Sequence, residues 1–231
     1  MKRFAVVLTA VLLIFCACNF AVVFLKFGKK TSSQVHDELY IIIDAGHGGM
    51  DGGTSAADGT LEKDINLSVS KKLDLMFKAC GFNTVMLRND DELIGDNSLT
   101  TIRARKVSDI KTRLNIIHSY PKAILISIHQ NHYSVEKYSG AQVFYSPKLA
   151  ESKFIAQSVQ SSIVNNLQPE NNRQIKAVGT NIYLLYNCEV PSIMVECGFL
   201  SNYSETQKLK NDAYQKQLAF SIFNGIINYL E

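Results

Sequence analysis

Four side chains in this sequence have the types and positions that metal-dependent hydrolysis requires. His47, His129 and Glu196 each stand at or just past the end of an apolar run of strand length, and Glu62 opens a predicted helix. Two imidazoles and one carboxylate, with a fourth position open, form the ligand set of a catalytic zinc ion. A second carboxylate that is not a ligand can then act as the general base. Together the four residues predict a zinc-dependent hydrolytic centre.

Each of these residues has a simpler explanation when it is considered alone. A single His at a strand end is more often a hydrogen-bonded structural residue, and Glu62 would be a favourable charge near a helix N-terminus. Glu196 is harder to explain, because a carboxylate directly after Ile193-Met194-Val195 costs free energy unless it is partnered or functional. Strand alternation should point the neighbouring Cys197 the other way, which argues against a cysteine nucleophile.

The first histidine lies in a glycine-rich turn that follows the apolar residues 40–43. The turn contains three glycines, Gly46, Gly48 and Gly49. They allow the backbone positive φ on both sides of His47. Such a turn presents a side chain at the carboxyl end of a core strand, the edge where open α/β sheets bind ligands. A nucleotide-binding loop would need a third glycine where this sequence has Asp51, so that interpretation is disfavoured.

The elements that must position these side chains alternate between strand and helix. Apolar runs predict strands over residues 40–43, 83–87, 123–128, 141–145, 182–185 and 192–195. Apolar periodicity predicts helices over residues 61–79 and 102–118, one opened by Pro147, and one from about Asp212. This alternation predicts an α/β fold: a single domain with a mostly parallel, twisted sheet of about six strands and helices on both faces.

The N-terminus forms a separate segment. An apolar run over residues 4–25, interrupted by only two polar residues, is long enough to span a bilayer. We predict a membrane anchor over residues 1–30, a linker over residues 31–38 and a catalytic domain over residues 39–231. Cleavage as a signal peptide and lipidation at Cys18 are the alternatives, and all three imply an exported, extracytoplasmic protein.

The distribution of charge argues against nucleic acid as a partner. The formal net charge is +3, but five of the 24 basic residues and none of the acidic residues lie in the first thirty. The other 201 residues carry 19 basic and 21 acidic side chains, a net charge of −2, without a basic stripe.

Three cysteines follow the N-terminal segment, Cys80, Cys188 and Cys197. No Cys-x-x-Cys pair is present, so a structural zinc site is not supported. We expect free, buried thiols, with a Cys188–Cys197 disulfide as the alternative in an exported protein.

Four ordered segments carry most of the polar residues discussed above. They are Ile43-Asp44-Ala45-Gly46-His47-Gly48-Gly49, Glu62-Lys63-Asp64-Ile65-Asn66, Ser127-Ile128-His129-Gln130-Asn131 and Pro191-Ser192-Ile193-Met194-Val195-Glu196-Cys197-Gly198-Phe199-Leu200-Ser201-Asn202. Together with Arg88, Arg113 and Asn115, they resemble the zinc-dependent N-acetylmuramoyl-L-alanine amidases over residues 39–231. A single catalytic domain behind a membrane anchor is most similar to the spore-cortex, germination-specific members of that family.

The resemblance implies that one Zn²⁺ is bound by His47, Glu62 and His129, and that Glu196 is catalytic. It also implies that the substrate is peptidoglycan. The bond cleaved would join the lactyl group of N-acetylmuramic acid to L-alanine of the stem peptide.

Four further residues are predicted to contact the ligands or the substrate: Asp44, Asn66, Asn131 and Gly198. Asp44 and Asn66 would orient the metal ligands, although Asp44 is explained equally well as a turn residue at a strand end. Gly198 would allow the peptide to approach the backbone closely.

Two other functions stay open. The first is another zinc amidohydrolase of the cell wall, such as a deacetylase or a carboxypeptidase. The spacing of His47, Glu62 and His129 does not match a short His-x-x-x-His ligand pair. The second is a peptidoglycan-binding protein without catalysis, which predicts that at least one of the four site residues is missing, and none is.

Regulation by an exported activator protein is a further prediction. No long insertion between Leu87 and Pro121 could plug the site, so control would have to come from outside the chain or from its expression.

Overall fold

Residues 38–231, the part of the chain that the computed structural model describes, are built on one six-stranded sheet. Its strands are β1 (Tyr40–Ala45), β2 (Asn83–Met86), β3 (Ala123–Asn131), β4 (Gln142–Tyr145), β5 (Lys176–Ala177) and β6 (Ser192–Phe199). The spatial order is β2-β1-β3-β6-β4-β5, in which the first four strands are parallel and β4 is antiparallel to β6. The predicted mostly parallel sheet of about six strands is confirmed, although β5 was not among the predicted strands.

Six helices accompany the sheet within the described residues. They are α1 (Glu62–Ala79), α2 (Ile102–His118), α3 (Ala150–Asn166), α4 (Tyr183–Asn187), α5 (Tyr203–Lys210) and α6 (Asp212–Leu230). Buried side chains of α1, α3 and α6 form one apolar cluster with the sheet, and those of α2 and α4 form a second cluster. Helices therefore cover both faces, as alternation predicts for a parallel sheet.

The helix α1 shows how the pattern determines the element. Ile65, Val69, Leu73 and Phe77 recur at helical spacing and are all buried against the sheet. The helix stops at Cys80, and Gly81 follows with φ of +82°. Because Cys80 lies at this surface turn, its thiol is exposed, so the prediction of a buried thiol there is wrong. Cys188 and Cys197 are free and buried.

One predicted strand is a helix. Residues 182–185 were expected to be extended, but Tyr183–Asn187 form α4. Consecutive Leu184 and Leu185 both pack into the cluster beneath α2, whereas a strand would direct them to opposite faces. The need to bury both leucines on the same side outweighs the β propensity of Ile182 and Tyr183.

The predicted N-terminal anchor lies outside the described residues, as does the linker up to residue 37. From residue 38 onward, no helix combines the length and the apolar character needed to cross a membrane.

Candidate active site

The site lies at the carboxyl ends of β1 and β3. The chain leaves β1 through α1 toward β2 on one side, and β3 is its neighbour on the other side. This reversal of strand order opens a crevice of the kind that binds ligands in open α/β sheets. A cavity of about 800 Å³ occupies it, and its lining includes all four of the residues predicted to do chemistry.

Strand pairing places two of these residues side by side. The strands β3 and β6 both continue past their predicted ends, so His129 and Glu196 lie within the sheet rather than beyond it, and they are register partners. Alternate residues of a strand share one face, so Ser127 and Met194, two residues before His129 and Glu196, line the same cavity. Cys197 points into the opposite apolar cluster, as predicted.

The loop after β1 presents His47 from a strained backbone. His47 has φ of +63°, and among the described residues it is the single non-glycine residue in that region. Gly48 and Gly49 also have positive φ, as expected, but Gly46 does not. Gly46 is required for another reason: an added Cβ would lie 2.2 Å from Nε2 of His129. The glycine therefore lets the second imidazole pack against the loop.

The orientation of His47 is fixed through both ring nitrogens. Nδ1 lies 2.8 Å from Oδ2 of Asp51, and Nε2 lies 3.3 Å from Oε2 of Glu62. Asp51 is itself held by Lys106 of α2, whose Nζ is 2.6 Å from Oδ1. A carboxylate on one nitrogen leaves the other directed at a metal, the usual support of a metal-binding imidazole. Nothing in the sequence pattern indicates this role of Asp51, four residues after His47.

Glu62, the first residue of α1, is buried and bonded on both oxygens. Oε1 accepts from the backbone N–H of Gln130 at 3.0 Å and lies 2.9 Å from Nδ1 of His129. Oε2 accepts from the backbone N–H of Thr54 at 2.8 Å. Burial alone would raise the pKa of Glu62, but the bonds with His129 and His47 outweigh burial and lower it. The carboxylate is therefore held ionised between the two imidazoles.

This arrangement fits a metal ion. One donor atom each from His47, Glu62 and His129 lies within 4.8 Å of the others. Burial alone would lower the pKa of His47, but hydrogen bonds to Asp51 and Glu62 outweigh it and raise the pKa to about 9. The carboxylates thus favour a positive charge at this point. Two imidazoles and one carboxylate suit zinc.

Glu196 has a different environment from Glu62. It is half-buried, and within the described residues its Oε2 atom is buried without a hydrogen-bond partner. Burial raises its pKa to about 7. An unpartnered carboxyl beside two imidazoles and facing a cavity is costly unless it has a chemical role.

Two buried arginines hold the backbone of the His47 loop. Arg113 of α2 donates to the carbonyl of Ala45 at 3.0 Å and to that of His47 at 2.8 Å. Arg88 donates to the carbonyls of Ala45 and Gly46 at 2.8 and 3.1 Å. These bonds offset the strain of the left-handed residue. Both arginines fit the family pattern noted in the sequence. The loop carbonyls to which they donate lie 42 to 68 residues away in the chain, and a sequence pattern does not identify such distant partners.

The remaining predicted residues lie around this core. Asp44 pairs with Arg113 and accepts from Ser127 Oγ at 2.6 Å, and Asn66 donates to Glu62 Oε1 at 3.3 Å and to the Gly46 carbonyl at 3.1 Å. A Cβ at Gly198 would meet Glu205 and Leu209 at 3.2 Å, so close packing against α5 accounts for this glycine. Asn131 ends β3, where its carbonyl accepts from Leu200 N at 2.8 Å. Substrate contacts of Asn131 and Gly198 stay predictions.

Comparison with known proteins identifies one family. Residues 41–228 match the N-acetylmuramoyl-L-alanine amidase family. A germination-specific N-acetylmuramoyl-L-alanine amidase of Bacillus subtilis is 35% identical over 189 residues, which cover 82% of this chain and 78% of the relative.

Two solved structures share the fold and a third of the sequence. The CwlD amidase of Clostridioides difficile, solved in complex with the GerS lipoprotein, is 37% identical with a TM-score of 0.80, covering 83% of this chain and 98% of that one. An N-acetylmuramoyl-L-alanine amidase of Clostridium difficile 630 is 32% identical with a TM-score of 0.71, covering 84% and 97%. With the match over residues 41–228, these similarities show that the chain belongs to the N-acetylmuramoyl-L-alanine amidase family.

Proposed function

We propose that this protein hydrolyses the amide bond between the lactyl group of N-acetylmuramic acid and L-alanine of the peptidoglycan stem, and that it does so with one bound zinc ion. The observation that carries the proposal is the convergence of His47, Glu62 and His129 in one cavity, with Glu196 in register beside His129. A non-catalytic wall-binding protein would not need this arrangement.

His47, Glu62 and His129 would hold the zinc ion. When bound, zinc acts as a Lewis acid on the scissile carbonyl and lowers the pKa of a coordinated water. The role of the chain is to fix the donors: Asp51 orients His47, the N–H groups of Thr54 and Gln130 orient Glu62, and Arg88 with Arg113 hold the loop.

Glu196 would move the proton. Its unpartnered oxygen can accept a proton from the attacking water, and the remaining hydroxide forms the new bond to the carbonyl carbon. The same proton then passes to the leaving nitrogen as the C–N bond breaks. The products are a lactyl carboxylate on the glycan and a free amino group on L-alanine.

The bond that is cut decides between this function and other cell-wall amidohydrolases. The zinc-loaded full chain, incubated with purified peptidoglycan, should release stem peptides that begin with a free L-alanine. Mass spectrometry of the products measures this directly. Release of acetate, or of a C-terminal amino acid instead, would identify a deacetylase or a carboxypeptidase and overturn the proposal.

A role in spore peptidoglycan follows as a finer proposal. It is supported by the germination-specific relative. Deleting the gene should leave more stem peptide on the muramic acid of spores than in the parent, with the vegetative wall unchanged. An unchanged spore wall would remove this assignment.

We also infer that the domain works outside the cytoplasmic membrane, tethered by the apolar run over residues 4–25. A reporter fused after Glu231 should then be active only in the form that requires export. Activity of a reporter that works only in the cytoplasm would exclude this orientation.

An exported partner protein is a third element of the proposal. The complex of the CwlD amidase with a lipoprotein supports it, as does the absence of any helix between β2 and α2 in the described residues that could plug the cavity. Full zinc occupancy together with full activity of the protein alone would show that no activator is required.

A further inference from the structure

A cluster of three aromatic rings, two exposed and one buried beneath them at 4% exposure (Phe199), lies outside the cavity described above. Tyr133 and Tyr138, in the loop between β3 and β4, are 52% and 39% exposed. Their rings contact each other edge to face, with centroids 5.0 Å apart. The ring of Phe199 lies 6.4 Å from that of Tyr138, and the guanidinium of Arg173 stacks over Phe199 at 4.5 Å. We call Tyr133, Tyr138, Phe199 and Arg173 the aromatic platform.

The loop that carries the platform is held in place by hydrogen bonds. Ser201 Oγ accepts from the backbone N–H of Tyr133 at 3.1 Å. The side-chain amide of Asn202 donates to the carbonyl of Glu136 at 2.9 Å. Arg173 donates to the carbonyl of Ser139 at 2.8 Å, so its charge is already engaged with the loop. The rings are therefore presented in a fixed arrangement, which lowers the entropy cost of binding a ligand.

A polar pocket adjoins the platform. It has a volume of about 420 Å³, and amide, hydroxyl and carboxylate groups line it together with apolar surface from Leu167, Pro169 and Tyr214. Its lining includes Ser139, Gly140, Asn171, Asn172, Asn202 and Glu205. Ser139 accepts a hydrogen bond from Arg173 of the platform, and Asn202 donates to Glu136 of the platform loop, so the pocket lies next to the platform.

This surface continues directly from the catalytic strands. The exposed ring of Tyr133 follows His129 by four residues, so the platform begins roughly 13 Å along the chain direction, at about 3.3 Å per residue. None of the four platform residues lines the 800 Å³ cavity. That cavity extends instead toward α2 and α4, where Ile102, Ile110 and Leu185 give it an apolar wall.

We propose that the aromatic platform and the adjoining pocket bind the glycan strand beside the muramoyl residue whose stem is cut; this rests on the proposed function. The substrate has a peptide arm and a glycan arm that meet at the scissile bond. The cavity toward α2 and α4 suits the peptide, which leaves the platform for the glycan. Amino sugars present C–H faces that pack on aromatic rings, and N-acetyl and hydroxyl groups that bond to amides and carboxylates.

The test compares two substrates that carry the same stem peptide. One has a single muramoyl sugar, and the other has a tetrasaccharide glycan. The full chain, purified in detergent and loaded with zinc, is compared with the double variant Tyr133→Ala/Tyr138→Ala. We expect KM for the tetrasaccharide to rise roughly tenfold in the variant, the size expected for losing aromatic stacking, with kcat unchanged. KM for the single-sugar substrate should not change.

Two further variants serve as controls. Tyr138→Phe keeps the ring and should keep the KM of the parent. Phe154→Ala removes a ring that is 62% exposed on α3, away from the platform, and should have no effect. An equal loss on both substrates would show that the loop only supports the catalytic strands. If the double variant keeps the KM of the parent on both substrates, the platform does not bind the glycan. The same conclusion follows if the double variant loses only its binding to a partner protein.

Direct binding separates this proposal from the proposed function. A tetrasaccharide without stem peptides cannot be cleaved, and its affinity can be measured by calorimetry. If the parent binds it and the double variant does not, the platform assignment holds even if no stem peptide is ever released. If the parent cuts the muramoyl–alanine bond but does not bind the tetrasaccharide, the amidase assignment holds and the platform assignment is wrong.

Discussion

Replacing Glu196 with Gln should lower turnover of peptidoglycan by about 10²- to 10⁴-fold, the usual contribution of general acid–base catalysis. Gln has the size of Glu but cannot accept and return a proton. Since Oε2 of Glu196 has no hydrogen-bond partner in the described residues, the substitution breaks no observed bond. The variant should therefore keep the zinc content of the parent, and its melting temperature should not fall. Turnover, bound zinc and thermal unfolding are measured on the same preparation.

Two outcomes for Glu196→Gln would contradict this prediction. A Glu196→Gln variant with full activity would show that another group moves the proton. A variant that loses zinc would show that Glu196 is a ligand, and one of the three assigned donors would then have to be replaced. Ser70→Ala is a matched control, because Ser70 Oγ is likewise buried and unpartnered but lies on α1 away from the cavity lining. It should change neither activity nor zinc content.

The core of this fold could be predicted because its strands are buried on both faces. Nearly continuous apolar runs such as residues 123–128, in which Ser127 alone is polar, are stable in a protein of this size mainly as buried strands. Parallel strands then bring their carboxyl ends to one edge, which places His47, His129 and Glu196 together without knowledge of any single distance. Helix α5 was missed because its sequence is mostly polar. Its signal is a capping pattern: Asn202 accepts from the N–H of Glu205, three residues later.

The hydrogen bonds that hold the His47 loop in place could not be predicted in the same way. Arg113 reaches the His47 loop across 66 residues, and the contact depends on how α2 packs over the sheet. Periodicity places a residue on a helix face but does not say which backbone carbonyl it will meet. The prediction of a strand over residues 182–185 was wrong for a related reason. Whether Leu184 and Leu185 are buried on the same side depends on how the chain packs beneath α2, which the local sequence does not show.

The second large effect concerns the metal. His129→Ala should abolish stoichiometric zinc binding, since it removes one of only three donors and leaves two. Loss of an outer partner alone costs about 10- to 100-fold in metal affinity, so loss of a donor should exceed that range. Zinc affinity is measured by competition with a chromogenic chelator, and activity should fall with zinc occupancy.

Glu62→Gln should weaken zinc binding, because it replaces an anionic donor with a neutral one, and it should also lower the stability of the fold. Both carboxylate oxygens of Glu62 accept backbone N–H groups, from Gln130 and from Thr54. A Gln side chain has one acceptor oxygen and would turn its NH₂ toward one of these donors. An unsatisfied buried donor costs about 1–3 kcal/mol, so this variant should also unfold more readily, unlike Glu196→Gln.

Asp51→Asn tests whether loss of a residue that only orients a zinc donor weakens zinc binding less than loss of a donor itself. Asp51 contacts Nδ1 of His47 at 2.8 Å and does not belong to the donor set. Its loss should reduce zinc affinity by about 10- to 100-fold, as for other outer partners, without abolishing binding. The expected order of affinity is parent and Glu196→Gln together, then Asp51→Asn, then His129→Ala. If His129→Ala binds stoichiometric zinc as tightly as the parent, the ion is held by other residues, and the centre assigned to His47, Glu62 and His129 is wrong.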